Sequence, residues 1–329
     1  MRKYRDLYVY CALGAALVLS ALLGVRYGSV SLSLGDFFSA LIGRSGYETE
    51  RVILFAVRIP RVLGGVLAGV GLSASGVLLQ SVTDNALAGP NLIGVNAGAG
   101  FAVILLLSFF PMAAVFLPLA AFLGAFVAAA LILGVAGTLG ASRSALILAG
   151  IALTALLNAG ISAISLLRDD VLASYNAFSV GGLAGVTMAQ LTLPALLIAV
   201  GFVVALVLSR PIGLLCLGDL SAASLGVSVK SIRVVCMALA SALAGAVVSF
   251  AGLLGFVGLT VPHIARRLVG GRVADQLLAS ALIGGTLVCL GDLLGRVLAA
   301  PSEIPVGIVM SFLGAPFFLF LLWKKRYEM

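Results

Sequence analysis

Charge is what this 329-residue sequence has least of: 10% of its residues are Asp, Glu, Lys or Arg, against 62% hydrophobic. A water-soluble chain of this length needs far more polar surface to cover its core. Histidine occurs once, at His263, and lysine four times, at Lys3, Lys230, Lys324 and Lys325. A single histidine excludes an HExxH motif and any histidine cluster, since a metal site takes three or four ligands. No lysine follows a glycine, and Lys230-Ser231 is preceded by Val229, so no phosphate-cradling P-loop is present. The chain carries no nucleotide motor of its own. The four cysteines, Cys11, Cys216, Cys236 and Cys289, are far apart, form no CxxC pair and read as packing residues.

What the sequence has instead is oil and glycine. Mean hydropathy is +1.24, and apolar runs of about 18 or more residues, each long enough to cross roughly 30 Å of hydrocarbon, recur along the chain. The forty glycines suit helices whose backbones approach closely. The sequence predicts an all-α polytopic membrane protein of one domain, residues 1–329, with about ten spans: 8–26, 58–81, 92–109, 113–139, 144–167, 190–209, 231–252, a short broken one near 256–270, 275–298 and 304–323. The basic start and apolar middle of "MRKYRDLYVYCALGAALVLSALLG" resemble a signal peptide, but the apolar part is long and reads as an uncleaved first span. With both termini in the cytoplasm, thirteen of the twenty basic residues and only five of the twelve acidic ones lie inside, so the whole net charge of +8 sits on one face. The positive-inside rule expects this asymmetry, and the basic balance then needs no nucleic-acid partner.

An internal similarity divides the chain. "LAGVGLSASG" (67–76) lines up with "LAGAVVSFAG" (243–252), suggesting repeats over about 58–167 and 231–323, separated by the sixth span at 190–209 and a loop at 210–230. The copies lie five crossings apart and so run in opposite directions. Each is followed by a glycine-containing segment and a proline, Pro90 in "ALAGPNLIG" and Pro262 in "GLTVPHIAR". Inverted repeats with matched, interrupted segments point to a transport pathway. Proline suits the first turn of a helix, which predicts that Pro90 and Pro262 open short helices and that His263 lies in a first turn, bonding backbone or a neighbour.

The loop "RPIGLLCLGDLSAASLGVSVKSIR" (210–233) carries one carboxylate, Asp219. Asp219 or Ser221 would cap a short helix over roughly 220–226, closed by Gly226. Such a helix, set across the bundle axis, could receive a push from a partner; a merely long, solvated loop is the alternative.

Six motifs in order carry a resemblance: "RIPRVLGGVLAGVGLSASGVLLQ" (58–80), "NALAGPNLIGVNAGAG" (85–100), "LILAGIAL" (146–153), "LGDLSAASLGVSV" (217–229), "GFVGLTVPHIARRLVG" (255–270) and "EIPVGIVMSFLGAPFFLFLL" (303–322). With them the chain resembles the permease subunits of ABC importers for iron-siderophore, haem and cobalamin. That resemblance implies ten spans, a second permease subunit (a homodimer), two cytoplasmic ATPases that hold ATP and magnesium, and an extracytoplasmic substrate-binding protein. It implies no cofactor, metal or catalytic residue on this chain. Gly218, Asp219, Ala222, Leu225 and Gly226 match the region that docks on the ATPase. Arg58, Arg61 and Arg296 match arginines that pair with the binding protein, and docking is the preferred reading; the alternative is that Arg58 and Arg61 only anchor span two at the headgroups. Asn85 and Leu87, with Ser142, match the cytoplasmic gate, but Ala86 replaces the family's usual proline. The aromatic that usually precedes "GGLAG" (181–185), expected as a short outer helix, is also absent.

Three readings follow. The chain is the unpowered membrane part of an ATP-driven importer, an ion-coupled secondary transporter with inverted repeats, or a membrane-embedded enzyme. Scarce intramembrane carboxylates, of which Asp292 is the nearest candidate, weigh against the second, and the lack of catalytic pairs weighs against the third. The importer pathway is expected to be lined by small and apolar residues from spans two, five, eight and ten.

Overall fold

The computed structural model describes residues 2–30, 32–91, 94–138 and 143–326, and all regular structure among them is helical. α1 (Arg2–Arg26) leads to two short helices, α2 (Leu34–Ile42) and α3 (Glu48–Val52), and then to a π-helical stretch, Ile53–Arg58, that runs into α4 (Ile59–Thr83). α5 (Val95–Phe109), a 3-10 stretch (Pro111–Phe116), α6 (Leu117–Thr138) and α7 (Arg143–Leu167) follow. α8 (Asp169–Val180) is short, α9 (Met188–Val207) is long, and α10 (Ser209–Leu215) and α11 (Asp219–Ser224) are single-turn pieces. α12 (Val229–Ala251), α13 (Val257–Val269), α14 (Val273–Leu298) and α15 (Val306–Arg326) complete the chain.

Among the described residues seven helical segments are long and apolar enough to cross a bilayer: α1, α3 with the π stretch and α4, the 3-10 stretch with α6, α7, α9, α12 and α14. The other three expected spans correspond to α5, α13 and α15. α5 has 15 residues, α15 has 21, and the 13 residues of α13 extend roughly 20 Å at 1.5 Å per residue.

Helices apolar on every side stack by shape rather than by one oily stripe, and small residues decide which pairs approach most closely. α4 is the hub, packed against α14, α12, α13 and α9. A Cβ added at Gly69 would lie 2.2 Å from the Gly284 backbone, which seats α14 directly on α4. The matched stretches 67–76 and 243–252 fall on α4 and α12, which touch: Ser75 Oγ donates to the Ala240 carbonyl at 2.7 Å, and Gly71 faces Val247. Their ends differ, however. α12 stops at Ala251, while α4 continues through Gly76 to Thr83.

Both interrupted segments start their helices on a left-handed residue, not on the proline. Gly94 (φ 65°) precedes α5 and Phe256 (φ 62°) precedes α13. Pro90 therefore sits in the turn before α5, accepting from the Val95 amide at 3.2 Å, and Pro262 lies inside α13. The first amides of a helix lack intrahelical partners whichever residue opens it, so a proline is permitted in the first turn but is not required there. His263 is consequently mid-helix, and its Nε2 has no hydrogen-bond partner among the described residues. Pro262 has a different use. It cannot donate to the Gly258 carbonyl four residues back, and that oxygen lies against α4, where a Cβ at Gly76 would sit 1.8 Å from it. One turn further along α4, Gln80 Nε2 donates to the Leu259 carbonyl at 3.2 Å.

A Gly76→Ala change is expected to force α13 off α4 and to destabilise the fold by about 1–3 kcal/mol or more, the range for overpacking. Gly134→Ala, where a Cβ meets nothing within 4 Å, is the matched control and is expected to be neutral or slightly stabilising. Unfolding in mild detergent measures both.

Candidate functional site

Where the two interrupted segments meet, Asn91 lies beside Gly255 and Phe256, and a cavity of about 610 Å³ opens. α5 contributes Asn96, α7 contributes Thr154 and Asn158, α8 contributes Tyr175 and Ser179, and α15 contributes Ser311 and Phe312. Apolar atoms supply the remainder, and among the described residues no charged side chain lines it. Asn96 Nδ2 donates to Asn91 Oδ1, while Asn96 Oδ1 and Thr154 Oγ1 have no partner among the described residues. Phe256 holds one wall in place: its positive φ is strained for a side chain of this size, its carbonyl accepts from both the Thr260 amide (2.8 Å) and hydroxyl (2.9 Å), and Gly314 leaves room for its ring. The cavity draws on α7 and α15, two of the spans expected to line the pathway, and on α5 and α8, whose amides and hydroxyls that expectation omitted.

The predicted loop helix is present as α11, and its capping differs from expectation. Gly218 (φ 102°) is the N-cap, and neither Asp219 nor Ser221 caps with its side chain. Asp219 instead accepts at both oxygens from Arg233 Nη2, at 3.0 and 3.1 Å. Arg233 lies on the first turns of α12, with its side chain 5% exposed. Gly226 (φ 82°) closes α11, and the Val227 amide reaches back to the Ala222 carbonyl at 3.0 Å. Ala222 is buried, whereas Leu217, Leu220 and Leu225 are 63%, 89% and 60% exposed. Sequence reasoning found the helix but missed Arg233, which ties it to a long span.

Arg58, Arg61 and Arg296 are 3–5% exposed, contrary to the expectation that they face outward. A guanidinium in a membrane bundle finds internal acceptors because leaving it unpaired is costly. Arg61 Nε lies 3.0 Å from both Asp292 oxygens, and its Nη1 donates to Glu303 Oε2 at 2.6 Å. Arg296 forms an ion pair with Asp292 at 3.0 Å and donates to the Gly24 (3.1 Å) and Tyr27 (3.2 Å) carbonyls. Arg58 donates to Val25 (3.1 Å), Arg26 (2.6 Å) and Val30. The last carbonyls of α1, which have no partner within the helix, are thereby capped by cations, the favourable sign at a C-terminus. Ser29 Oγ donates to Glu303 Oε1 at 2.8 Å, closing the clamp. Burial by itself would push the Glu303 carboxyl up, but the hydrogen bonds from Arg61 and Ser29 and the Arg61 and Arg296 charges hold it below its ordinary value. Arg61 and Glu303 also form part of the wall of a second cavity, about 570 Å³, beneath residues 176–184. "GGLAG" itself is a turn following α8 rather than a helix.

Asn85 closes a turn on itself: its Oδ1 accepts from the Leu87 amide at 2.9 Å, and Leu87 is 39% exposed. The amide at Ala86 is a freedom that the family's proline would lack. Ser142 lies outside the described residues.

The arrangement is that of an all-helical membrane permease: a bundle with interrupted helices, a cavity where they meet, and a short helix, α11, tied to α12. A profile of the FecCD transport family matches residues 16–324. The chain belongs to that family. It is 34% identical to the iron(III)-citrate import system permease YfmE of Bacillus subtilis, covering 98% of this chain and 96% of that protein. It is also 34% identical to the hemin transport system permease HmuU of Yersinia pestis, over 94% and 93% of the two chains. A solved inward-facing metal-chelate type ABC transporter superposes with a TM-score of 0.86 at 30% identity, covering 96% of this chain and 99% of that one.

Replacing Asp292 by Asn leaves two buried guanidinium groups without their shared counter-charge, and the fold is expected to lose about 3–5 kcal/mol, as when one partner of a buried pair is removed. Because the folded Glu303 carboxyl is held low, its contribution is fully present at neutral pH and is lost as pH falls through that lowered value. Glu303→Gln is expected to flatten the acid limb of an unfolding-versus-pH curve; an unchanged limb would remove Glu303 from the clamp's energetics.

Proposed function

We propose that this chain is the permease subunit of an ATP-driven importer and forms the path of an iron chelate (ferric siderophore or haem) or of cobalamin across the cytoplasmic membrane. It crosses ten times with both termini inside, pairs with a second copy of itself, receives cargo from an extracytoplasmic binding protein and is driven by two ATPase subunits that hold the ATP and magnesium. The observation that carries this reading is the exposure of three leucines at α11. Leu220 on the helix and Leu217 and Leu225 just before and after it are all exposed, and apolar side chains grouped outside the hydrocarbon mark a protein contact. Movement of α11 passes to α12 through Asp219 and Arg233, and Asn85 and Leu87, with Ser142, form the inner constriction. The binding protein docks on the opposite end, around α8 and residues 299–305. Arg58, Arg61 and Arg296 shape that end from beneath, and direct pairing with the binding protein would require exchange of their internal partners.

Support for an ion-coupled carrier is weaker. Asp292, its natural proton site, has both oxygens engaged by arginine.

Reconstitution with the ATPase and binding protein tests the proposal. ATP-dependent uptake is expected to fall at least about tenfold in Asp219→Arg, Leu225→Asp and Arg233→Ala while the binding protein still docks, and Asp219→Arg combined with Arg233→Asp is expected to recover part of it. Uptake that persists without ATP, or is untouched by all three single changes, contradicts the proposal.

A further inference from the structure

We propose that α2 is a membrane-surface anchor whose apolar face lies in the boundary between headgroups and acyl chains. The leaflet is the one at the Arg58 and Arg296 end of the bundle, extracytoplasmic in the orientation given above. The proposal concerns this chain and lipid alone, so it stands or falls apart from the importer reading.

The local sequence makes α2 a defined helix. Ser33 and Asp36 form a reciprocal capping box at its start, and Gly43 (φ 76°) closes it in the left-handed conformation. Leu34, Phe38, Leu41 and Ile42 fall on one helical face, and all four are exposed. The opposite side packs on the protein through the small Ala40, 1% exposed, with Asp36 and Ser39 half-buried. This order is the reverse of that on a water-soluble protein, where the oily side of a surface helix turns inward. Nine residues make a helix too short to hold in water by itself, and burying one alanine contributes little. The apolar side needs a cover.

Depth, continuity and place identify lipid as that cover. Arg26, the last residue of α1, donates from Nη1 to the Leu32 carbonyl at 2.9 Å. Its guanidinium lies 5.2 Å from the centre of the Tyr27 ring and 5.7 Å from that of Phe37. These contacts tether α2 level with the end of a 20-residue apolar span, and arginine gathered with aromatic rings is typical of a membrane boundary. α2 also packs on α3 and the π stretch, where Val52, Phe55 and Val57 are exposed in turn, and that stretch continues into α4 as one apolar span. Finally, α2 lines neither cavity, so its face lies away from the openings that a cargo-delivering partner would cover. Because Arg58 and Arg296 cap the same end of α1, an anchored α2 sets the depth of their clamp in the bilayer.

Tryptophan fluorescence of the purified full chain in lipid nanodiscs tests the proposal. Trp323, the chain's one tryptophan, is replaced by Phe. A reporter then enters as Phe38→Trp or Leu41→Trp on the apolar face, or as Ser45→Trp in the polar turn after α2. Lipid brominated near its headgroup is expected to lower Phe38→Trp and Leu41→Trp emission about twofold, and more than lipid brominated at its chain ends. Aqueous iodide is expected to quench Ser45→Trp at least about threefold more strongly than either face reporter. Iodide quenching of the face reporters equal to that of Ser45→Trp overturns the proposal and makes the face a free surface, as a docking site for a soluble partner would be. Protection from both quenchers overturns it too, as contact with a second copy would give. Stronger quenching from the chain ends places the helix too deep and overturns the surface location. Two reporters on one face keep the test valid if one substitution misfolds. ATP-dependent uptake is untouched by these outcomes and tests the importer reading separately.

Discussion

In a hydrocarbon solvent a backbone amide or carbonyl that leaves its helix must find a partner in the protein, and the rest of this molecule is arranged around that requirement. Among the described residues the chain leaves helical geometry inside the bundle over 84–91 and 252–256. Both excursions lean on α4. The Asn85 amide donates to the Gln80 carbonyl, and the glycines of α4 let the first turn of α13, just past the second break, come within backbone contact at Gly258, where Gln80 also donates to the Leu259 carbonyl. Because the breaks are held by protein, the space they enclose can stay open and polar without exposing backbone to lipid.

The same rule explains the two ionic devices. At one end, Arg58 and Arg296 supply donors to the final carbonyls of α1, and Asp292 and Glu303 balance the arginines. At the other, Asp219 and Arg233 join a six-residue helix to a 23-residue one. The first joins the end of α1, α4, α14 and the 299–305 loop into a fixed frame. In the second, Asp219 is half exposed while the Arg233 side chain is buried, so the pair fastens an exposed short helix to the buried start of α12.

Much of this was legible in the sequence and some was misleading. Apolar run lengths gave the long helices, and "LGDLSAASLGVSV" gave α11. Pro262 pointed to the interruption but not to its boundary, because a left-handed Phe256 starts the helix five residues ahead of where a proline would. Arg58, Arg61 and Arg296 looked like surface charges because residue type and loop proximity were all that the sequence offered. Their carbonyl acceptors lie 28 to 272 positions away. The polar cavity had a faint signal, asparagines at 96 and 158 within otherwise apolar runs, a costly placement in a span and hence a functional hint.

By itself the sequence determined the solvent, the helices and the lack of a motor, since hydrophobicity, span length and missing motifs are properties of adjacent residues. Only the tertiary structure decided which charges are buried, which amides share a cavity and how α11 is tied to α12. Those outcomes depend on pairs brought together from distant positions, and a side chain's partner, not its type, sets whether a charge in the membrane is a contact for others or a fastener for its own chain.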